Sequence, residues 1–167
     1  MVLALGLLLI GILARFLPHV PNFTPVIAIA LFGGVYLRRS YALFLPLLLM
    51  VVTDLFLGTY PAIYFTWASV VLVSAIGFWV RGSMSRRRML GGALASAVLF
   101  FLVTNFGCWL TEYPKTLEGF ISCFTLAVPF FRMTLLSTLV YAVVLFGSFE
   151  LMAAGLRKTR LAAVLLK

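Results

Sequence analysis

Acidic side chains are nearly absent from this 167-residue chain: one aspartate and three glutamates face thirteen lysines and arginines, and charged residues make up only 10% of the sequence. A soluble domain carries about 25% and needs them to cover its surface. Water is therefore the wrong solvent for this sequence. Histidine occurs once, at His19, which excludes a metal site made of histidines alone. The two cysteines, Cys108 and Cys123, are spaced unlike any zinc-ligand pattern and read as small apolar filler, with a disulfide as the alternative. No Walker A loop, dinucleotide fingerprint or nucleophile–base pair occurs. The chain cannot drive transport with ATP by itself, no enzyme activity or catalytic residue is expected, and no cofactor is implied.

What fills the sequence instead is hydrophobic residues, 64% of the total, in long runs of Leu, Val, Ala and Phe. In hydrocarbon every backbone N–H and C=O must be satisfied within its own helix or in a closed barrel. The runs lack the apolar–polar alternation of barrel strands, which leaves an all-α membrane protein. They fall at about 2–17, 23–37, 41–57, 63–80, 89–110 and 133–156, giving six transmembrane helices in a single domain, 1–167. The first two are short against the roughly 20 residues needed to cross about 30 Å of hydrocarbon, and need flanking residues or local thinning.

The net charge of +9 could signal nucleic acid, yet the bases do not line a polar face that tracks phosphates. They punctuate the apolar runs in three clusters: Arg38–Arg39, then Arg81 and Arg86–Arg88, then Arg157, Lys158, Arg160 and Lys167. This is the positive-inside pattern. Six spans put all three clusters on one side, so ten of the thirteen bases and both termini are expected in the cytoplasm of a multi-pass bacterial inner-membrane protein. Five spans would scatter them. The opening run MVLALGLLLIGILARF has no basic segment before it and is expected to remain as the first span.

Between Thr111 and Arg132 the pattern changes. TEYPKTLEG is polar, and FISCFTLAVPFF is apolar but too short to cross. A short interfacial or re-entrant helix is expected there, an outer lid that starts near Pro114 and is ended by Pro129 before the last span.

Sorted by side, the polar residues are asymmetric. The inner connections hold bases, while the outer ones collect His19, Asn22, Asp54, Tyr60, Asn105, Trp109, Tyr113 and Arg132, with Arg15, Glu112 and Lys115 nearby. Such a set can line an aromatic-walled pocket between helices, and these eight residues are the candidate substrate-binding set. Asp54 is the sharpest, since an intramembrane carboxylate is costly and is paired or functional. Its plainer reading is a helix-end residue beside Gly58, paired with Arg15. His19, in LPHVPNFTP, can bind a metal or an anion or simply sit at the interface. Cys108 is the other weak metal candidate. Arg132 can snorkel to headgroups or reach a ligand, and Trp109, Tyr113, Tyr60 and Tyr64 can form an aromatic belt. Small residues recur at helix-packing spacing in Ala30–Gly34, Gly91–Ala95 and Ala93–Ala97. If a pocket exists, His19, Asp54, Trp109, Tyr113 and Arg132 should converge on the outer half of the bundle.

In the blocks LPHVPNFTPVIAIALFGGVYL, PLLLMVVTDLFLG, TNFGCWL, YPKTLEGF and VPFFRMTLL the sequence resembles an uncharacterised bacterial membrane family described as transport proteins. That family is in turn similar to the substrate-binding S components of energy-coupling-factor (ECF) vitamin transporters, which have six membrane helices. The resemblance implies capture of a scarce micronutrient from the outer side, with outer loops as a lid. It also implies docking to an ECF-type energising module through small residues on the first helix, where Gly6, Ile10 and Ala14 make an imperfect motif. Some solitary S components, one of them cobalamin-specific, work without a dedicated module, and a cobalt ligand would suit His19 or Cys108. Two functions follow: a micronutrient-binding uptake component whose partners are the bilayer and a small molecule, or an accessory or assembly subunit that packs against other membrane proteins.

Overall fold

Three prolines in eight residues, Pro18, Pro21 and Pro25, break the first long apolar stretch, because each lacks the N–H a helix requires. The computed structural model describes residues 2–18 and 20–156 and is helical on both sides of that break. Its elements are α1 (Val2–Phe16), α2 (Val26–Tyr36), α3 (Arg39–Leu57), α4 (Ile63–Arg81), α5 (Arg86–Glu112) and α6 (Leu117–Leu156). No strand occurs among the described residues. Asn22, in the break, takes a left-handed φ of 62°, a conformation that asparagine tolerates better than most residues.

Four helices, α3, α4, α5 and α6 as far as Gly155, are long and apolar enough to cross a membrane. α1 has 15 residues and α2 only 11. The expected second span over 23–37 is therefore corrected to a shorter central helix, since Pro25 fixes its start at Val26 and Leu37 leaves helical geometry at its end. α2 touches all five other helices, and every residue from Val26 to Val35 is buried. A helix apolar all round has no face for a polar medium, and enclosure is the natural outcome.

The second correction concerns the expected separate interfacial or re-entrant helix and lid before the last span. Residues 117–156 form one helix of 40 residues with Pro129 inside it. A proline in a membrane-type helix is tolerated where neighbouring helices support the freed carbonyl, and α5 packs along α6 here. Phe101 stacks near Phe124 and Phe131, and Phe120 lies between Trp109 and Phe124. The α5–α6 connection is a short turn: the Trp109 indole donates to the Pro114 carbonyl at 3.1 Å, and Lys115 donates to the carbonyls of Trp109 and Tyr113 at 3.0 and 2.9 Å.

Helix α2 is fixed at its C-terminal end. Its closest approach is to α4 at Gly34 and Gly77, where a Cβ on Gly77 would lie 2.5 Å from the Leu31 carbonyl oxygen and 2.6 Å from the Gly34 Cα. Below that crossing, Arg81 donates to the carbonyls of Gly34, at 2.6 Å, and Leu37. A cation on the last carbonyls of a helix satisfies orphan acceptors and the negative pole of the helix dipole together. Arg88 lies 4.4 Å over the Trp79 ring at the same end.

The bundle's outside is as apolar as its inside. Phe44, Leu55, Phe56, Leu126, Val143 and Leu151 are all exposed, a perimeter suited to lipid chains. Buried hydroxyls look after themselves: Thr53, Ser69, Ser74, Ser96 and Thr138 each donate to a carbonyl three or four residues back. The C-terminal bases Arg157, Lys158, Arg160 and Lys167, and with them the position of the C-terminus, lie outside the described residues.

Candidate functional site

The chain reverses at each connection, so the ends of α1, α3 and α5 meet the starts of α2, α4 and α6 at the end of the bundle away from Arg38, Arg39 and Arg81–Arg88. There α3 carries Asp54 one turn before its Gly58 cap, whose N–H bonds the Asp54 carbonyl at 2.9 Å and whose φ of 107° is open to glycine. The Asp54 side chain is 2% exposed. One carboxylate oxygen accepts from Arg15 Nη2 of α1 at 2.7 Å, and the other accepts from the Trp67 indole of α4 at 2.8 Å. Charge-assisted bonds to both oxygens make burial of the carboxylate tolerable. Arg15–Asp54 is the one ion pair among the described residues. The plainer reading of Asp54, as a partner of Arg15, is what the structure shows, although the carboxylate is buried rather than at a frayed helix end.

Beside this triad lies a cavity of about 420 Å³, within the size range of small-molecule sites. Its wall takes Arg15 from α1, Asn22 and Thr24 from the proline-rich break, Tyr60 from the α3–α4 connection, Thr66 from the start of α4, Thr104 from α5, and Thr134 and Ser137 from α6. The apolar lining includes Val26, Ile27, Met50 and Phe100. A second cavity of about 210 Å³ shares Asn22, Phe100, Thr104 and Thr134 with it and adds Asn105, whose Nδ2 donates to the Phe101 carbonyl at 2.7 Å. Burial raises the Tyr60 phenol above the ordinary tyrosine value, with the Asp54 carboxylate adding to it, so the group is a neutral O–H at physiological pH.

The structure thus brings four of the sequence-derived candidates to one place: Asn22 and Tyr60 in the wall, Asp54 just behind it, and Asn105 in the adjoining cavity. The expected convergence of Trp109, Tyr113 and Arg132 does not occur. Trp109 and Tyr113 are engaged at the α5–α6 turn, one to two turns past Asn105. Arg132 is exposed, without a hydrogen bond or ion pair among the described residues. It lies about 200° round the helix from Thr134, and so faces away from the cavity. His19 lies outside the described residues. Cys108 and Cys123 are free thiols on facing helices, and the Cys123 thiol donates to the Asn105 carbonyl at 3.4 Å. Among the described residues no three potential metal ligands cluster.

Sequence reasoning missed Trp67, Thr24, Thr66, Thr104, Thr134 and Ser137. Trp67 left a readable signal, an indole N–H inside an apolar helix that requires an acceptor, thirteen residues after the only aspartate. The hydroxyls left none, because a helical Ser or Thr satisfies itself on its own backbone wherever it points.

An all-helical protein with membrane-type spans and an internal polar cavity at one end is the class that this fold and site define. The chain belongs to DUF6580, a family of unknown function whose model matches residues 1–161. No curated protein matches the chain, and neither does any solved structure.

Proposed function

We propose that this protein is the substrate-binding component of an uptake system for a small micronutrient-sized molecule, held in the bacterial inner membrane with its cavity facing outward. The observation that carries the reading is the cavity: hydroxyl, amide and guanidinium groups from four helices, the α3–α4 connection and the proline-rich break converge on it. Irregular backbone inside a membrane protein is tolerated where it lines a cavity, and residues 20–25 border this one through Asn22 and Thr24. The positive-inside rule, applied to Arg38, Arg39 and Arg81–Arg88, turns the cavity outward.

A volume of about 420 Å³ favours a compact vitamin or cofactor precursor over a corrinoid such as cobalamin. Docking to an ECF-type energising module fits the position of α1, which packs mainly on α3 and α2. Its Gly6 and Ile10 are exposed, with nothing within 4 Å of a Cβ built on Gly6.

The test is a thermal-shift screen of the purified protein against vitamins and cofactor precursors, followed by uptake of any hit in cells carrying or lacking the gene. A hit whose uptake is lost in the deletion and in Thr134→Val supports the reading. A screen with no hit, together with a stable membrane-protein complex on purification, would replace it with the accessory-subunit reading.

A further inference from the structure

Two features of the cavity wall go beyond size and specify ligand chemistry. The first is charge. Among the described residues Arg15 is the only ionised side chain in the wall, and its charge is compensated by Asp54 at 2.7 Å. The remaining polar lining is hydroxyl and amide. A cationic ligand would meet the guanidinium, and an anionic one would meet a cation already paired with a carboxylate.

The second feature is the direction of the hydrogen bonds. Thr104 donates to the Phe100 carbonyl at 2.8 Å, Thr134 to the Phe130 carbonyl at 3.1 Å, and Ser137 to the Thr134 and Asn22 carbonyls at 3.0 and 3.3 Å. With their protons committed, these hydroxyls offer lone pairs to anything in the cavity. Arg15 offers the opposite. Nη2 is committed to Asp54, but Nη1 faces the Met50 sulfur, and a thioether is a weak acceptor for one of the strongest donors in a protein. That N–H is held by a placeholder.

We infer that the cavity takes a neutral ligand carrying a hydrogen-bond acceptor beside a donor, as in a carboxamide, lactam or cyclic urea. Its carbonyl oxygen displaces Met50 from Arg15 Nη1, and its N–H groups meet the oxygens of Thr104, Thr134 and Ser137. The inference rests on the binding-component reading and names the substrate class of that same site.

The experiment uses the full-length protein in detergent or nanodiscs and three probes of one ring and size: pyridine-3-carboxamide, pyridine-3-carboxylate and 3-(aminomethyl)pyridine, with 2-pyrrolidinone and ethyleneurea as further neutral donor–acceptor compounds. Melting temperature and calorimetric affinity are read at millimolar concentration. Stabilisation by neutral members alone is expected. Stabilisation by the carboxylate or the amine in preference to the amide overturns the inference while leaving a binding component in place. No shift with any neutral probe, when a molecule from the vitamin screen does bind, also overturns it. No shift in either screen removes the binding-component reading itself.

Two variants then locate the contact. Arg15→Lys keeps a cation for Asp54 but loses the second arm of the fork, and affinity should fall about tenfold, the loss of one hydrogen bond to a charged group. If Arg15→Lys purifies unfolded, Thr134→Val reads the other half of the pattern with the same expected loss. Unchanged affinity in a folded Arg15→Lys, or in Thr134→Val, overturns the assignment.

Discussion

A buried carboxylate has little choice of partners, and Asp54 uses both of its oxygens on donors from other helices. Removing one member of such a pair costs more than the pair itself contributes, because the other charge stays behind without compensation. Asp54→Asn should therefore lower stability by about 3–5 kcal/mol, read as a fall in melting temperature of the detergent-purified protein. The double change Arg15→Met with Asp54→Leu should recover most of that loss while abolishing ligand binding, which separates the pair's structural role from its role at the cavity. Trp67→Phe takes away one charge-assisted bond and should cost about 1.5–3 kcal/mol in the same assay. At this scale the sequence was informative where charge was scarce. A single aspartate among apolar residues declares that it needs a partner, and Arg15 was identifiable because it is the one base near that end of α1. Arg132 was misleading for the same reason. Its charge drew attention, but nothing in sequence spacing says which side of a 40-residue helix faces a cavity.

Among the elements, α2 depends most on what surrounds it. Its 11 residues are too few to be stable alone in water, and its place is set by the glycine crossing with α4. Gly77→Ala puts a methyl group 2.5 Å from the Leu31 carbonyl oxygen and 2.6 Å from the Gly34 Cα, and overpacking of that kind should destabilise by about 1–3 kcal/mol. Gly91→Ala, also within a helix but with nothing within 4 Å of the new carbon, should stabilise by up to about 1 kcal/mol through helix propensity. Thermal denaturation of the two variants should thus move in opposite directions. Of the three small-residue pairs read from the sequence, Ala30–Gly34 lies at the crossing with α4 and Ala93–Ala97 is fully buried, whereas Gly91 of the remaining pair opens outward. Helix starts at 39, 63 and 86 were legible because arginines and breakers mark them. The join across Pro129 was not legible, since a rule learned from water, where an interior proline costs about 3 kcal/mol, weakens when neighbouring helices support the freed carbonyl.

For the whole molecule, the asymmetry that the sequence carries in its arginines becomes a spatial one: cations gather at one end and the polar cavity opens near the other. Sidedness follows from the positive-inside rule and is open to direct measurement. In a Cys108→Ser, Cys123→Ser background, a membrane-impermeant maleimide applied to intact cells should label Thr116→Cys, in the α5–α6 turn, and leave Ser83→Cys, in the α4–α5 turn, unlabelled until the cells are lysed. The reverse pattern would turn the cavity towards the cytoplasm and with it overturn an uptake role. The grip of Arg81 on the last carbonyls of α2, together with the Gly34–Gly77 contact, makes the arginine end of that helix a fulcrum. Its other end joins the proline-rich break at the cavity rim. Loading and emptying the cavity should then swing the tip and leave the base still. In hydrogen-exchange measurements, ligand should slow the amides of residues 20–27 and leave those of residues 32–37 unchanged: α2 works as a lever, and the three prolines mark where its handle begins.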